Sequence, residues 1–224
     1  MERFLREGFY VVGMDRNSIG LRGIVPCLCD ITNVSAISAC VQDTINRYGR
    51  IDVLVNNAGI CTYERMLEST VENWHRTFAT NLEAMYGLTR LVVPHMIQRG
   101  YGRIVNISST QSIAAESTVG AYAATKGAIN AWSRSLAVDL AEYGILVNAV
   151  APGCIHTGMS IVQGVDETKT EDFQEWYVRR RKIPLARSGR PEEIADVIFF
   201  LSGDQCTYIT GQVLVVDGGL TVTF

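Results

Sequence analysis

The feature that most constrains the fold is an alternation of short apolar runs with longer amphipathic segments. Six apolar runs predict strands, at residues 9–14, 23–29, 51–55, 103–108, 145–150 and 212–216. Segments with helical periodicity follow most of these runs. Strands that alternate with helices form right-handed βαβ units, so the sequence predicts an α/β fold built on a doubly wound parallel sheet.

Five helices are predicted around this sheet, at residues 2–7, 34–48, 69–99, 120–143 and 191–203. Gly8 and Gly49 are expected to end the first two, because glycine readily adopts the left-handed conformation found at helix C-caps. Pro94 lies inside the third helix and is expected to kink it. The polar stretch 157–190 carries only weak helix signals.

Composition and charge narrow the class of protein. Of the 224 residues, 47% are hydrophobic and 19% charged, which predicts one folded domain over residues 1–224. A net charge of −3 without a basic stripe argues against a nucleic-acid partner. No apolar run is long enough for a membrane span, so no membrane partner is expected. The six cysteines lack metal-ligand spacing, so we expect free thiols, no bound metal and a cytoplasmic protein.

Tyr122 and Lys126 form the most suggestive side-chain pair. They are four residues apart, so they share one face of the predicted helix 120–143. A tyrosine has a pKa of about 10, and a nearby ammonium favours the phenolate. The spacing alone is common, and an incidental surface pair is the alternative interpretation. Ser109 ends an apolar run thirteen residues before Tyr122.

Several polar residues follow predicted strands at the point where each strand ends. They are Asp15, Asp30, Asn56, Ser109 and the pair Pro152-Gly153. In an open parallel sheet, ligands bind beyond the carboxyl ends of the strands. The shared placement of these residues predicts a site at that edge of the sheet.

Four motifs, in their order and spacing, resemble those of the short-chain dehydrogenase/reductases. They are Asn56-Asn57-Ala58-Gly59, Ser109, Tyr122-x-x-x-Lys126 and Pro152-Gly153, and the resemblance extends to Asp217-Gly218-Gly219. It implies a Rossmann-like fold and an NAD(P)-dependent oxidoreductase. Such an enzyme exchanges hydride between a nicotinamide cofactor and an alcohol or carbonyl carbon.

The resemblance also implies four catalytic residues. Tyr122 would be the general acid/base, and Lys126 would lower its pKa and hold the nicotinamide ribose. Ser109 would hydrogen-bond the substrate oxygen. Asn81 would steady a proton-relay water, although a helix-interior asparagine that bonds backbone is the alternative.

Further residues are implied in cofactor binding. A carboxylate at Asp15 would accept from the adenosine ribose and repel a 2′-phosphate, which favours NAD over NADP, whereas Arg16 could receive that phosphate. The other implied contacts are Asp30, Ile31, Asn57, Ala58, Gly59, Tyr122, Lys126, Pro152, Gly153, Ile155 and Thr157. An N-cap at Asp30 and a plain turn at 56–59 are the alternatives.

Substrate contacts are expected at Ser109, Gln111 and Tyr122. The loops at 110–113 and 155–187 would line the pocket. Their polar residues, Gln111, Glu116, His156 and Gln163, suit a sugar or polyol, or else face solvent. The sequence also resembles 3-oxoacyl-carrier-protein reductases. A homodimer or homotetramer is expected, as is common in the family.

One family motif is not found. The glycine-rich phosphate loop would fall before Met1, so the first strand, that loop and most of the first helix are expected to be absent from this chain. The strands ending at Asp15 and Asn56 would flank the first strand. A start assigned at an internal methionine is the favoured explanation. The alternative is a truncated, non-catalytic remnant that only associates with other subunits.

Overall fold

The computed structural model describes residues 1–162 and 164–223, and its elements follow the predicted alternation. The helices are α1 Glu2–Arg6, α2 Val34–Tyr48, α3 Val71–Phe78, α4 Ala84–Arg99, α5 Gly120–Leu140, α6 Glu171–Phe173 and α7 Pro191–Ser202. The strands are β1 Val11–Asp15, β2 Ile24–Leu28, β3 Val53–Asn56, β4 Gly102–Ile107, β5 Ile145–Pro152, β6 Ile161–Val162, β7 Val165–Asp166 and β8 Val213–Val216. None of these helices is long and apolar enough to cross a membrane.

A central sheet of four parallel strands, in the order β3-β4-β5-β8, organises the chain. Its register pairs Asn56 with Asn106 and Pro152 with Val216, so the carboxyl ends of the strands meet at one edge. β1 and β2 form a separate parallel pair, and β6 and β7 a short antiparallel hairpin. Among the described residues, β1 and β3 belong to different sheets and do not pair with each other.

Two clusters of buried apolar side chains cover the two faces of the central sheet. On one face, α2 and α4 pack through residues such as Val41 and Val92. On the other face, α7 packs through residues such as Ile194. Neighbouring residues of β4 point to opposite faces, because Ile104 joins the first cluster and Val105 the second. Helices on both faces of a parallel sheet confirm the doubly wound prediction.

Local sequence explains where α2 begins and ends. Asn33 caps its start, since the side chain accepts a hydrogen bond of 3.1 Å from the Ala36 N–H. Gly49 ends it with φ at +73°, a conformation that glycine adopts without steric cost. The N-cap alternative for Asp30 is therefore wrong: its carboxylate bonds Thr32, and the capping position is Asn33.

The predicted helix over residues 69–99 is not one continuous α-helix. A π turn at Ala79–Glu83 separates α3 from α4, and α4 continues through Pro94. Each π turn places one extra residue in the helix and is frequently found at functional sites. Periodicity could not reveal this turn, because it depends on contacts that Asn81 makes with another segment.

Candidate active site

Tyr122 and Lys126 lie in the first turns of α5, side by side and largely buried. Tyr122 is 9% exposed and Lys126 3% exposed. The Lys126 ammonium donates a hydrogen bond of 2.7 Å to the carbonyl of Ile107, the last residue of β4. Its Nζ lies 5.3 Å from the centroid of the Tyr122 ring. The ammonium is thus held between the end of β4 and the Tyr122 phenol.

Burial controls the protonation of this pair. Burial raises the pKa of Tyr122, and the nearby Ser109 hydroxyl opposes that rise. Burial also lowers the pKa of Lys126, to about 8. The expectation that Lys126 lowers the pKa of Tyr122 is therefore not met in this structure, because the loss of hydration of the phenolate outweighs any attraction to the ammonium. Tyr122 is a protonated acid at neutral pH.

Ser109 is held in place by a chain of hydrogen bonds that starts on α5. The Asn130 amide donates to the Ser112 hydroxyl at 2.8 Å, and that hydroxyl donates to the Ser109 carbonyl at 2.5 Å. The Ser109 hydroxyl accepts from the Gln111 N–H at 3.1 Å. The helix that carries Tyr122 therefore also positions the loop that carries Ser109.

Ser109 and Tyr122 open into one pocket. The sequence-predicted residues that line it are Ser109, Thr110, Gln111, Glu116, Tyr122, Gly153 and, from the loop 155–187, Met159. His156 is not among the lining residues, because it pairs at 3.0 Å with Asp166. Gln163 lies outside the described residues. The pocket thus brings together all three predicted substrate contacts.

Asn81 sits in the π turn and is 1% exposed. Its Nδ2 donates to the Ile60 carbonyl at 2.9 Å and to the Thr125 hydroxyl at 3.1 Å. Its Oδ1 accepts from the Ile60 N–H at 2.8 Å. The side chain therefore bonds the backbone of a different segment, not that of its own helix. It ties the segment after β3 to α5.

Gly59 belongs to the segment 56–59 that follows β3. A Cβ at Gly59 would lie 3.3 Å from Asn81 Oδ1 and 3.7 Å from Lys126 Nζ. The absence of a side chain keeps open the space in front of the buried ammonium. Asn57 and Ala58 are exposed beside it. Asn56 is buried instead, and its amide donates to Asn106 Oδ1 at 2.8 Å.

The loop after β5 approaches the end of β8 closely. The Gly153 N–H donates to the Val216 carbonyl at 3.0 Å, and a Cβ at Gly153 would lie only 2.6 Å from that of Asp217. Pro152 is the last residue of β5. Two other implied cofactor residues have local partners. Ile155 packs against the second core cluster, and Thr157 accepts from the Met159 N–H at 3.2 Å.

Asp15 and Asp30 lie at the carboxyl ends of the paired strands β1 and β2. Asp15 Oδ1 accepts from the Asn17 N–H at 2.8 Å. Asp30 Oδ1 accepts from the N–H and the hydroxyl of Thr32, and these bonds lower the pKa of Asp30. Asp15, Arg16 and Asp30 are exposed, and Ile31 is half-buried.

The residues present fit a nicotinamide dinucleotide. Lys126 donates one hydrogen bond to Ile107, so two of its three N–H groups remain for ribose hydroxyls. A Cβ at Gly59 would contact that ammonium at 3.7 Å and occupy space in front of it. The Asp15 carboxylate keeps a second oxygen for a hydroxyl group. These groups stand at the strand ends where an open parallel sheet binds its ligands.

Comparison with known proteins identifies the family. A family model described as enoyl-(acyl carrier protein) reductase matches residues 7–221. The 3-oxoacyl-[acyl-carrier-protein] reductase FabG of Thermotoga maritima is 38% identical over 230 residues, covering 98% of this chain and 90% of that protein. The chain belongs to the short-chain dehydrogenase/reductase family. The resemblance drawn from its motifs is thus confirmed.

Further members of the family are similar to this chain in sequence and in structure. Gluconate 5-dehydrogenase of Gluconobacter oxydans is 37% identical over 194 residues, covering 87% of this chain and 73% of that protein. The ligand-free aldohexose dehydrogenase AldT of Thermoplasma acidophilum superposes with a TM-score of 0.92 at 33% identity, covering 100% of this chain and 88% of that one. A gluconate 5-dehydrogenase of Burkholderia cenocepacia, solved with NADP and tartrate, superposes with a TM-score of 0.83 at 32% identity. The match covers 100% of this chain and 80% of that one.

Membership in the short-chain dehydrogenase/reductases makes this chain an NAD(P)-dependent oxidoreductase that acts on CH–OH groups. Sequence reasoning missed several residues that line the pocket, namely Cys61, Tyr63, Val119, Cys154 and Leu220. A signal for some of them was present, because Cys61 and Tyr63 follow Gly59 closely and Cys154 follows Gly153 directly.

Proposed function

We propose that Tyr122 moves the hydroxyl proton of the substrate, and that a bound nicotinamide cofactor would exchange hydride with the carbon that bears that hydroxyl. One observation carries this proposal: the Tyr122 phenol and the Ser109 hydroxyl open into the same pocket, with the Lys126 ammonium beside the phenol. A proton donor, a hydrogen-bonding hydroxyl and a fixed cation are the groups that a carbonyl–alcohol interconversion needs.

Each residue has a distinct task in this proposal. Ser109 hydrogen-bonds the substrate oxygen, and Tyr122 donates its proton to that oxygen in reduction or accepts it in oxidation. Lys126 holds the ribose hydroxyls with its two remaining N–H groups. Asn81 keeps one lone pair of Oδ1 for a water in the proton path, because its other hydrogen-bonding capacity is used by Ile60 and Thr125.

Replacing the phenol of Tyr122 tests this assignment. We expect Tyr122→Phe to lower kcat at least about 1000-fold, since general acid/base catalysis contributes about 10²- to 10⁴-fold. Tyr143→Phe makes the same change in the 3₁₀ turn after α5, away from the pocket, and should retain full activity. Substantial turnover by a folded Tyr122→Phe protein would overturn the proposal.

The adenosine end of the cofactor is proposed to lie at Asp15, Arg16, Asp30, Ile31 and the segment Asn57–Gly59. The nicotinamide end is proposed to lie at Pro152, Gly153, Ile155 and Thr157. We propose NAD as the preferred cofactor, because a carboxylate at Asp15 repels a 2′-phosphate. The relative from Burkholderia cenocepacia was solved with NADP, so the preference requires a direct test.

Kinetics with both cofactors provides that test. We expect a higher kcat/KM with NAD than with NADP, and Asp15→Asn should reduce the ratio roughly tenfold by removing the repulsion. Asp43→Asn, the same change on the exposed side of α2, is the matched control. An unchanged ratio in Asp15→Asn would exclude Asp15 as the discriminating residue.

A 3-oxoacyl thioester is the second candidate substrate, favoured by the 38% identity to the Thermotoga maritima reductase. Reduction of an acetoacetyl thioester, compared with oxidation of a polyol by the same preparation, separates the two candidates. Homodimer or homotetramer assembly and a cytoplasmic location stay predictions. Light scattering on the purified chain tests the first.

A further inference from the structure

The described lining of the pocket includes a carboxylate and no cationic side chain. Glu116 is the one lining residue with a full charge at neutral pH, and the described lining includes no lysine, arginine or histidine. Lys126 stands behind Tyr122 and is nearly inaccessible. Burial raises the pKa of the Cys154 thiol, and the negative charges of Glu116 and Asp217 raise it further, so both carboxylates lie close to the pocket. A ligand that enters therefore meets negative charge and no exposed cation.

Glu116 is held in position from two sides. Its N–H donates to the Gln111 side-chain carbonyl at 2.8 Å. Its Oε1 accepts a hydrogen bond from the Tyr177 hydroxyl, which reaches across from the π turn at Gln174–Arg179. No hydrogen-bond donor among the described residues contacts Oε2. The carboxylate thus keeps an oxygen free to accept from a ligand at the mouth of the pocket.

The backbone around Glu116 is shaped by tertiary contacts. Thr118 has φ at +72°, a conformation that a β-branched residue rarely adopts. Its carbonyl accepts from the Glu64 N–H at 2.7 Å, and Glu64 forms a parallel bridge with Val119. Strained positions persist only where surrounding contacts determine them, so the loop holds Glu116 at a defined place.

The rest of the lining is mixed, because apolar and thiol side chains stand beside groups that can bond a hydroxyl. The apolar and thiol side chains are those of Cys61, Val119, Cys154, Met159 and Leu220. Ser109, Gln111, Tyr63 and Tyr122 supply hydroxyl or amide groups, in addition to the Glu116 carboxylate. Tyr63 is about half-exposed, so its ring also offers a face for the C–H groups of a sugar.

We propose that the pocket selects uncharged polyhydroxylated substrates over their carboxylate counterparts, and that Glu116 determines this selectivity. Its free oxygen accepts a hydrogen bond from a substrate hydroxyl remote from the reacting carbon. The same oxygen repels a substrate carboxylate, for which the described lining offers no cation. This inference rests on the proposed function, because it names the substrate class of the site built on Tyr122.

A matched pair of substrates tests the proposal. D-glucitol and D-gluconate share a carbon skeleton and differ in a hydroxymethyl group against a carboxylate. We expect the wild type to oxidise D-glucitol with a kcat/KM at least roughly tenfold higher, with the difference mostly in KM. Glu116→Gln keeps the shape and removes the charge, so the ratio should fall toward one. Added salt should reduce the wild-type ratio, because Glu116 is exposed to solvent.

Two further variants sharpen the interpretation. Glu142→Gln makes the same charge change in the 3₁₀ turn after α5 and should leave the ratio as in the wild type. Tyr177→Phe removes the donor that orients Glu116 and should raise the KM for D-glucitol a few-fold without changing kcat. Thermal melting of each variant shows whether it is folded, and Tyr177→Phe supplies an independent readout if Glu116→Gln does not fold.

Each outcome has a defined meaning. Equal kcat/KM for the two substrates in the wild type, or an unchanged ratio in Glu116→Gln, would overturn the inference. If neither polyol is oxidised but another alcohol or an acetoacetyl thioester is turned over in a Tyr122-dependent way, the selectivity proposal fails and the proposed function stands. If cofactor binds but no alcohol or carbonyl compound is turned over, both fail.

Discussion

Lys126 is a buried ammonium with a single hydrogen-bond partner among the described residues, so the folded chain keeps a cation where water hydrates it poorly. That cost explains why its pKa falls to about 8. A proton leaves Lys126 in the folded chain at a lower pH than in the unfolded chain. The protonation of this one residue therefore couples the stability of the fold to pH.

The free energy of unfolding, measured at several pH values, should reveal this coupling. Between pH 8 and the ordinary lysine pKa of 10.5, the unfolded chain binds a proton that the folded chain has released. Stability therefore rises with pH in this window. We expect the free energy of unfolding of the wild type, relative to Lys126→Met, to increase from pH 8 to pH 10 in denaturant titrations.

The comparison between the two proteins cancels the titrating groups that do not interact with Lys126; Cys61 does interact with it, so Cys61 is replaced by serine in both proteins. Lys169→Met makes the same change at an exposed lysine and separates burial from the loss of charge. A difference between wild type and Lys126→Met that does not vary with pH would contradict the assignment of a lowered pKa.

Sequence predicts which active-site residues meet, but not their protonation. Tyr122 and Lys126 are brought together by helical spacing, which is local, and Ser109 by its place at a strand end. The raised pKa of Tyr122 results from burial by segments distant in sequence. The pocket residues Cys61 and Tyr63 follow Gly59 closely in sequence, but it is tertiary packing that brings them into one pocket with Ser109.

At the scale of elements, the close approach of the loop after β5 to the end of β8 depends on Gly153. A methyl group at Gly153 would overlap Asp217, at 2.6 Å from its Cβ and 2.8 Å from its Cα. We expect Gly153→Ala to lower the free energy of unfolding by about 3 kcal/mol, as overpacking does, and to reduce activity by shifting a wall of the pocket.

Gly158→Ala is the matched control for this substitution. Gly158 lies five residues further on, and a methyl group added there would have no atom within 4 Å. Its stability should stay within about 0.5 kcal/mol of the wild type, as for most surface substitutions. Thermal melts and kcat/KM of the two variants provide the comparison, and a Gly153→Ala protein as stable and active as Gly158→Ala would refute the close-contact argument.

Element boundaries were predictable where local signals exist. Asn33 and Gly49 delimit α2 within the predicted range 34–48, because capping and left-handed glycine are properties of single residues. The stretch 157–190 was not resolved into elements from sequence. It contains a hairpin of two two-residue strands, short 3₁₀ turns, α6 and a π turn. Local side-chain hydrogen bonds hold it, such as those from the Thr168 hydroxyl to the Asp166 carboxylate and from the Gln174 amide to the Thr168 carbonyl.

At the scale of the whole molecule, burial is unevenly distributed between the two parallel sheets. All six residues of β4 are buried, whereas β1 has one buried residue and β2 none. The doubly wound fold was predictable because alternating patterns and βαβ handedness leave few topologies. The division into two sheets agrees with the motif-based expectation that β1 and β3 would flank a further strand, because among the described residues the two do not pair with each other.

Hydrogen exchange should report this unevenness. We expect the amides of β4 and β5 to exchange only through global unfolding, and those of β1 and β2 through openings that cost less free energy. Native-state exchange measured by mass spectrometry at increasing denaturant provides the test. Equal protection of β1 and β4 would show that the two sheets unfold as one cooperative unit.

The π turn at Ala79–Glu83 can be understood as a one-residue insertion in a helical rod. Each residue of an α-helix advances the helix by about 100°, so the extra residue sets α3 and α4 out of phase. Deleting one residue there would bring the two helices back into a single phase and rotate Asn81 away from Ile60 and Thr125. A regular α-helix over this segment would therefore lose the hydrogen bonds by which Asn81 ties the segment after β3 to α5.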